Sequence, residues 1–329
     1  MRRVVSFGEI MMRLSPPGRL RFVQAKELEV TFGGAEANTA VSLAQFGIES
    51  SFVTRLPSNP FADRALAELK GYGVDTDCVL RGGDRIGLYF LESGASQRPT
   101  VVIYDRAGSS MSQVAPGQFD WPRVFEGADW FHFTGITPAL GPSVAAATHE
   151  ACLAAKSLGL TVSCDLNYRQ KLWSLTEAGE TMSTLMKHVD VAILNQDQAV
   201  AVFGLDPSES DEAVARALAS RFDLRDVALT IRDSRSADDH RWSAMLLSGD
   251  GVHRSSCYEI HAVDRVGGGD AFAAGLIYGF LNGEGPQRSL EFAVVASCLK
   301  HTIQGDYNLV SVSEVEALMA GDGSGRVQR

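Results

Sequence analysis

The chain has 329 residues, 45% of them hydrophobic and 21% charged, so it can bury a sizeable core and is not a disordered segment. Its formal net charge of -10 excludes a protein whose whole surface attracts nucleic acid or an anionic membrane, and an anionic ligand therefore needs a local basic pocket. The 5 cysteines include no CxxC pair and no HExxH pair occurs, so neither a disulfide framework nor a protein-held metal site is predicted. Because no apolar run suits a signal peptide or approaches the roughly 18 residues of a transmembrane span, a cytoplasmic location is expected.

Short β-branched runs alternate with helical patterns along the chain. The patterns predict a strand at 4–7, a helix over 35–47, a strand at 50–56, a helix from Asn59-Pro60 to about Lys70, and strands at 130–135, 160–167, 191–195 and 227–231. This alternation favours an α/β fold with a mostly parallel central sheet that is covered by helices on both faces.

Two segments, at about 11–30 and 83–106, interrupt this alternation. The first is loop-rich, and the second contains two strand-like runs with no helix between them. We expect both to form a small antiparallel sheet that serves as a lid within a single domain spanning 1–329. The tail at 321–329 is predicted to be disordered.

A glycine-rich stretch, VDRVGGGDAF at 263–272, directly precedes a predicted buried helix. A dinucleotide fingerprint would need glycine at position 272, which is Phe272, and a Walker A loop would need a glycine-lysine pair, which the chain lacks. The remaining interpretation is an anion cradle, in which backbone N–H groups and the positive end of the helix face a ligand.

Asp270 follows the glycines, in the first turn of that helix. It could be a helix cap, a role that stabilises by about 1 kcal/mol. A cap needs no glycines before it, however, and glycines cost backbone entropy. In the functional interpretation, a phosphoryl group lies against Gly267, Gly268 and Gly269 while Asp270 accepts the proton of an attacking hydroxyl.

The stretches GGGDAF (267–272) and TFGGAEANTAVSLAQFG (31–47) resemble the two signatures of the PfkB (ribokinase-like) carbohydrate kinases. This resemblance covers essentially the whole chain. It implies a ribokinase-like α/β domain with a β-sheet lid, in which ATP and a sugar meet at the carboxyl ends of the strands. It also implies that Asp270 is the catalytic base and that the turn at 267–270 is the anion hole.

Five further stretches, at 82–92, 102–109, 165–173, 263–272 and 300–308, resemble the 2-keto-3-deoxygluconate kinase branch of that family. The implied reaction is ATP-dependent phosphorylation of the C6 hydroxyl, giving 2-keto-3-deoxy-6-phosphogluconate. A sugar acid needs arginine at its carboxylate end, whereas a neutral sugar does not. The resemblance assigns the carboxylate and keto group to Arg106 and Arg169, contacts with the sugar to Tyr89, Tyr104, Asn38 and Asp306, and a backbone approach to Gly34. The alternatives are solvated arginines, a Tyr89 that only packs the lid, and an exposed polar Asn38.

On the nucleotide side, Asn195 matches the first residue of the NxxE motif of the family, but Gln198 stands where the motif has glutamate. That change puts the usual role of the motif in Mg²⁺ and phosphate organisation in doubt, and Asp197 would point elsewhere on a helix. Mg²⁺ is still expected, bound mainly through the phosphates of ATP. The resemblance makes Thr230, Arg232, Gly267 and Gly269 candidate nucleotide contacts. Asp264 is either structural or a ligand of a monovalent cation, as in some relatives.

Several alternatives stay open at this point. One is a kinase for fructose, ribose or the galactonate epimer of the keto-deoxy acid. Another is a catalytically silent sugar-binding protein, which the change at Gln198 favours and the intact GGGD stretch opposes. The expected partners are a sugar acid, ATP and a second copy of the chain, paired through an exposed lid edge.

Overall fold

The structure is a computed structural model, and it describes residues 2–249 and 251–323. Residues 324–329, most of the tail predicted to be disordered, lie outside the described residues. The strands of the described part are β1 (Arg3–Phe7), β2 (Met11–Ser15), β3 (Glu29–Gly33), β4 (Glu49–Val53), β5 (Arg55–Leu56), β6 (Val74–Asp75), β7 (Leu80–Arg81), β8 (Gly87–Glu92), β9 (Val101–Asp105), β10 (Trp130–Thr134), β11 (Thr161–Asp165), β12 (Val191–Leu194), β13 (Asp226–Ser234), β14 (Asp239–Ser248), β15 (Gly251–Arg254) and β16 (Tyr258–His261).

The helices begin at recognisable start signals. Asn59 caps the second helix by accepting a hydrogen bond from the Ala62 amide, and Pro60 occupies its first turn. The helices of the described residues are α1 (Ala35–Gln45), α2 (Pro60–Gly71), α3 (Trp121–Val124), α4 (Pro142–Ser157), α5 (Leu175–Leu185), α6 (Gln196–Phe203), α7 (Asp211–Phe222), α8 (Gly268–Leu281), α9 (Pro286–Lys300) and α10 (Val312–Met319). None of the helices in the described part is both long and apolar enough to cross a membrane.

The main sheet has ten strands and is mostly parallel, as predicted. Its order is β15-β14-β13-β12-β11-β10-β1-β4-β6, with β16 paired to β14. All pairs from β13 to β6 are parallel, whereas β14, β15 and β16 add an antiparallel edge that the sequence patterns did not reveal. The carboxyl ends of the parallel strands therefore face one side of the molecule, where open sheets of this kind bind ligands.

Two hydrophobic cores fill the space on either side of this sheet. One lies under α4, α5, α6 and α7 and includes Ala147, Ala178 and Val214. The other lies under α8, α9 and α10 and includes Phe272 and Phe292. The glycine turn at 267–269 is thus fixed to the buried helix α8 rather than to a mobile surface loop.

A second sheet of four strands, in the order β3-β2-β8-β9, draws its strands from the two segments that interrupt the alternation. The expectation that this sheet is antiparallel is wrong for its central pair, because β2 and β8 run parallel. The chain passes through β4, α2 and β6 between them, so β8 returns in the direction of β2.

The predicted strand at 50–56 is broken in two. Its first part, β4, belongs to the main sheet, whereas β5 leaves that sheet and pairs with β7. Val53 and Leu56 are both apolar and both buried, but Val53 packs in the core that contains Phe131 and Leu56 packs in the cluster that contains Phe32.

Candidate active site

The glycine turn has a conformation that other residues could not adopt. Gly267 has a φ of 83° and is the residue before α8, and a Cβ atom there would lie 2.0 Å from the carbonyl oxygen of Asp306. A Cβ atom at Gly268 would lie 2.4 Å from the ring of His301. At Gly269, by contrast, the nearest protein atom is 4.0 Å away, on Asp165. Other parts of the chain therefore pack closely against Gly267 and Gly268, whereas Gly269 faces the open cavity.

Asp270 does not cap its helix. Its Oδ2 accepts a hydrogen bond of 2.7 Å from Nδ2 of Asn38, and α8 has no side-chain cap. The Oδ1 atom of Asn38 accepts from the amide of Gly34 at 3.2 Å, so both ends of the Asn38 amide are held. Burial raises the pKa of Asp270 from 3.8 to about 6, while Asn38 and Arg169 oppose this rise. Such a carboxyl is mostly ionised at neutral pH and can accept a proton.

Besides Asp306 and Glu9, two further buried carboxyls line the same cavity, and neither was predicted from the sequence. Burial and the charge of Asp270 raise the pKa of Asp165 to about 7. Burial raises the pKa of Glu36 to about 7, although its Oε1 accepts hydrogen bonds from the Thr134 amide and from the Thr134 and Thr137 hydroxyls. The position of Asp165 at the carboxyl end of the buried strand β11 was the signal that could have identified it.

The cavity has a volume of about 740 Å³ and lies between the carboxyl ends of the main-sheet strands and the inner face of the second sheet. The structure brings all of the predicted site residues to its wall. They are Gly34, Asn38, Tyr89, Tyr104, Arg106, Arg169, Asn195, Thr230, Arg232, Gly267, Gly268, Gly269, Asp270 and Asp306.

The two predicted carboxylate-binding arginines differ in environment. Arg106 is buried, lies over the ring of Tyr104 at 5.3 Å and forms an ion pair of 2.7 Å with Glu9. Its Nε is buried without a hydrogen-bond partner. Arg169 is exposed and has no ion-pair partner among the described residues. The net positive charge at this end of the cavity therefore comes from Arg169.

Asp306 and Tyr89 contact each other. The Tyr89 hydroxyl donates to Asp306, and Arg13 of β2 donates to Asp306 at 2.7 Å and to Asp264 at 2.8 Å. Arg13, which was not predicted from the sequence, thus joins the second sheet to Asp264, which precedes the glycine turn, and to Asp306, which packs against Gly267. Asp264 also accepts from the amides of Val266 and Gly305, so its contacts favour the structural interpretation.

At the opposite end, Asn195 accepts a hydrogen bond of 2.8 Å from the amide of Gln198 and caps α6. Arg232 lies over the ring of Trp242 at 4.8 Å, and burial together with the nearby charge of Arg265 lowers the pKa of Arg232 to about 10. Arg265 also lines the cavity and was missed. Neither arginine forms an ion pair within the described part of the chain, so this end can receive an anion.

These observations define a cavity lined by a buried base and by three cationic side chains, Arg169, Arg232 and Arg265, that form no ion pair among the described residues. The model of the pfkB family carbohydrate kinases matches residues 1–311. The chain therefore belongs to the pfkB family of carbohydrate kinases, which confirms the predicted family and the predicted phosphotransferase class.

Two relatives with high coverage are named for keto-deoxy sugar acids. The structure of a 2-dehydro-3-deoxygluconokinase of Thermotoga maritima superposes with a TM-score of 0.95 at 48% identity, covering 97% of this chain and 98% of that chain. A 2-dehydro-3-deoxygalactonokinase of Haloferax volcanii is 34% identical over 322 residues, covering 98% of each chain.

A more distant structure supports the fold alone. A ribokinase II of E. coli in complex with ATP and Mg²⁺ superposes with a TM-score of 0.84 at 18% identity, covering 97% of this chain and 99% of that chain. The predicted ribokinase-like α/β fold is confirmed.

Proposed function

We propose that the protein is an ATP-dependent sugar-acid kinase that phosphorylates the C6 hydroxyl of 2-keto-3-deoxygluconate. One observation carries this proposal. The buried carboxylate of Asp270 lies beside an open glycine turn, in the same cavity as an unpaired arginine, Arg169. A substrate that carries both a hydroxyl and a carboxylate suits a cavity that is lined by both a base and a cation.

At the reacting end, Asn38 holds Asp270 so that its carboxylate can accept the proton of the C6 hydroxyl. The hydroxyl oxygen then forms a bond to the γ-phosphorus, and the bond from that phosphorus to the bridging oxygen of ADP breaks. The amides at the start of α8 and the positive end of this helix stabilise the charge on the transferred group. Asp270 afterwards releases the proton to solvent.

At the far end, the sugar carboxylate is placed against Arg169 and Arg106. Because Glu9 already neutralises Arg106, Arg169 supplies the attraction, and Arg106 supplies a fixed donor through its buried, unpartnered Nε. A sugar carboxylate gains a charge-assisted contact with Arg169 that a neutral sugar cannot make, which favours acids over fructose or ribose. Tyr104, stacked with Arg106, forms the wall beside it.

The nucleotide is placed at the end that holds Thr230, Arg232 and Arg265. The two arginines have no carboxylate partner among the described residues and suit the phosphates of ATP. Because no cluster of three or more potential metal ligands occurs in the described part of the chain, Mg²⁺ is expected on the phosphates, with Asn195 and Asp197 nearby. When bound, Mg²⁺ offsets phosphate charge.

The test is an ADP-release assay with MgATP against 2-keto-3-deoxygluconate, its galactonate epimer, gluconate, fructose and ribose. We expect strong turnover of the keto-deoxy acids only. Turnover of fructose or ribose at a comparable kcat/KM would refute the sugar-acid assignment. No turnover of any substrate would favour the silent sugar-binding protein.

The galactonate epimer is a second candidate substrate. The Haloferax volcanii relative, which carries that name, matches over almost the whole chain. The two acids differ at one hydroxyl, and both present a carboxylate to Arg169. The ratio of their kcat/KM values in the same assay decides between them.

We further propose that the second sheet acts as a lid of a single domain and pairs with a second copy of the chain. Its edge strand β9 is bonded only to β8 and exposes Val101 and Ile103, which are 42% and 50% accessible. The Ile103→Lys variant is expected to change the molecular mass measured by light scattering from dimer to monomer. A monomeric wild-type protein would refute this pairing.

A further inference from the structure

A buried lysine lies beneath the glycine turn, and the proposed mechanism does not use it. Lys300 is the last residue of α9, and its side chain is completely inaccessible to solvent. Its Nζ donates a hydrogen bond of 3.0 Å to the carbonyl oxygen of Ile303. No carboxylate of the described residues lies within ion-pair distance of it. Burying an ammonium group away from water costs folding free energy, so we expect Lys300 to have a role that offsets this cost.

The position of Lys300 connects it with the turn. A Cβ atom at Gly267 would lie 3.1 Å from Cε of Lys300, so the lysine stem packs directly against the turn. Burial lowers the pKa of Lys300, and the charges of Asp264, Asp306 and Asp270 oppose this. In return, Lys300 is one of the groups that lower the pKa of Asp270.

The balance of buried charge shows what the lysine contributes. Arg13 pairs with both Asp264 and Asp306, so one cation faces two carboxylates. Lys300 brings this group to neutrality. Without it, the turn that should receive a phosphoryl group would rest on a net negative charge, with the carboxylate of Asp270 beside it.

We propose that Lys300 is a positioning residue that places a cation under the glycine turn, so that the kinase needs no monovalent cation from solution. The inference rests on the proposed kinase function. Asp264, a candidate ligand for a monovalent cation by sequence, is already bonded to Arg13 and to the amides of Val266 and Gly305. An ammonium on a backbone carbonyl supplies the charge that a potassium or ammonium ion would bring.

The first experiment uses the wild-type protein. Turnover of MgATP and the sugar acid is measured in choline chloride, potassium chloride and ammonium chloride at equal ionic strength. We expect kcat to differ by less than twofold. Activation by potassium of more than tenfold would overturn the proposal. Because this measurement needs no variant, it decides even if substitutions at Lys300 prevent folding.

The second experiment compares two variants of Lys300. Lys300→Met fills the space without a charge, and Lys300→Ala leaves room for a small cation. In choline chloride we expect both to lower kcat about 10- to 100-fold, with the KM for the sugar acid within threefold of wild type. Ammonium or methylammonium should raise the kcat of Lys300→Ala at least tenfold and leave the kcat of Lys300→Met unchanged. A soluble Lys300→Met with wild-type kcat, or loss of activity in both without recovery, would overturn the proposal.

Failure of the kinase assignment itself would look different. A wild-type protein that phosphorylates no sugar acid in any salt would refute the proposed function. The remaining measurement is then the stabilisation of wild type by ATP, read as the shift in Tm. Equal shifts in choline and potassium salts would support the built-in cation, and a shift that appears only with potassium would contradict it.

Discussion

Replacing Asp270 by asparagine isolates its chemical role. Asn38 donates to Oδ2 of Asp270 at 2.7 Å, and an asparagine side chain can offer its amide oxygen in the same place. The variant therefore keeps the hydrogen bond and the volume and loses the negative charge, and with it the ability to accept a proton. A positioned base contributes about 10²- to 10⁴-fold, so kcat should fall by that factor, or by about 3 to 5 kcal/mol in activation free energy.

The same substitution should stabilise the fold. The pKa of Asp270 rises from 3.8 to about 6, so keeping it ionised at pH 7 costs about 3 kcal/mol of folding free energy. This cost appears as pH rises from about 4 to about 6, because the folded state holds the proton more tightly than the unfolded state. Asparagine carries no such cost, and Tm at pH 7 should increase.

The assay combines ADP release, ATP binding by calorimetry and thermal unfolding for wild type, Asp270→Asn and the control Asp77→Asn. Asp77 is exposed and is not part of the cavity lining. We expect that Asp270→Asn binds ATP but shows almost no ADP release, and that Asp77→Asn matches wild type in all three measurements. A kcat of Asp270→Asn within about tenfold of wild type would refute the role of Asp270 as base.

The remaining predictions concern pH, the sugar acid and the nucleotide. For wild type, kcat/KM should rise between about pH 5 and 7 and then level off, because Asp270 must be ionised and its pKa is about 6; a flat profile would contradict this. Asn38→Leu removes the hydrogen bond that favours the ionised form, so its acid limb should move to higher pH, and an unmoved limb would assign Asn38 another role. Arg169→Ala should raise the KM for the sugar acid about tenfold or more and leave the KM for ATP unchanged; similar changes in both would reject the carboxylate contact. Arg265→Ala should raise the KM for ATP about tenfold while adenosine binds as in wild type, and weaker adenosine binding would point to a collapsed site instead.

The sequence predicted the parts of the site that have a local cause. The glycines before Asp270 signal a close approach of the backbone, and such a signal needs no knowledge of the fold. Alternating patterns likewise predicted the parallel strands, whose carboxyl ends then gather Asp165 and Asn195 at one edge. These inferences require only local spacing and the known geometry of parallel sheets.

The parts that were missed depend on partners distant in sequence. Arg13 and Asp306 are 293 positions apart in the sequence, and no local pattern around either residue predicts their contact. The raised pKa of Glu36 comes from complete burial of a helix residue that looks surface-like in sequence. The antiparallel edge strands β14 to β16 share no single pattern, because the first half of β14 alternates and its second half is buried, whereas β15 has no buried residue.

Arg13 also restricts which part of the second sheet can move. Lifting the whole sheet would separate its two buried ion pairs, which typically costs about 3 to 5 kcal/mol when one partner is left alone. The end of strand β9 is held by the neighbouring ion pair of Arg106 with Glu9. The start of the strand has no buried ion pair: it pairs with β8, exposes Val101 and Ile103, and accepts one hydrogen bond of 3.4 Å from Nζ of Lys171 at the carbonyl oxygen of Val102. Substrate entry should therefore need movement of the start of β9 and of the adjoining loop at 93–100, whose Ser96 would release its hydrogen bonds with Ala237 and Asp238. Amide hydrogens at 101–103 should exchange with solvent much faster than those of β2.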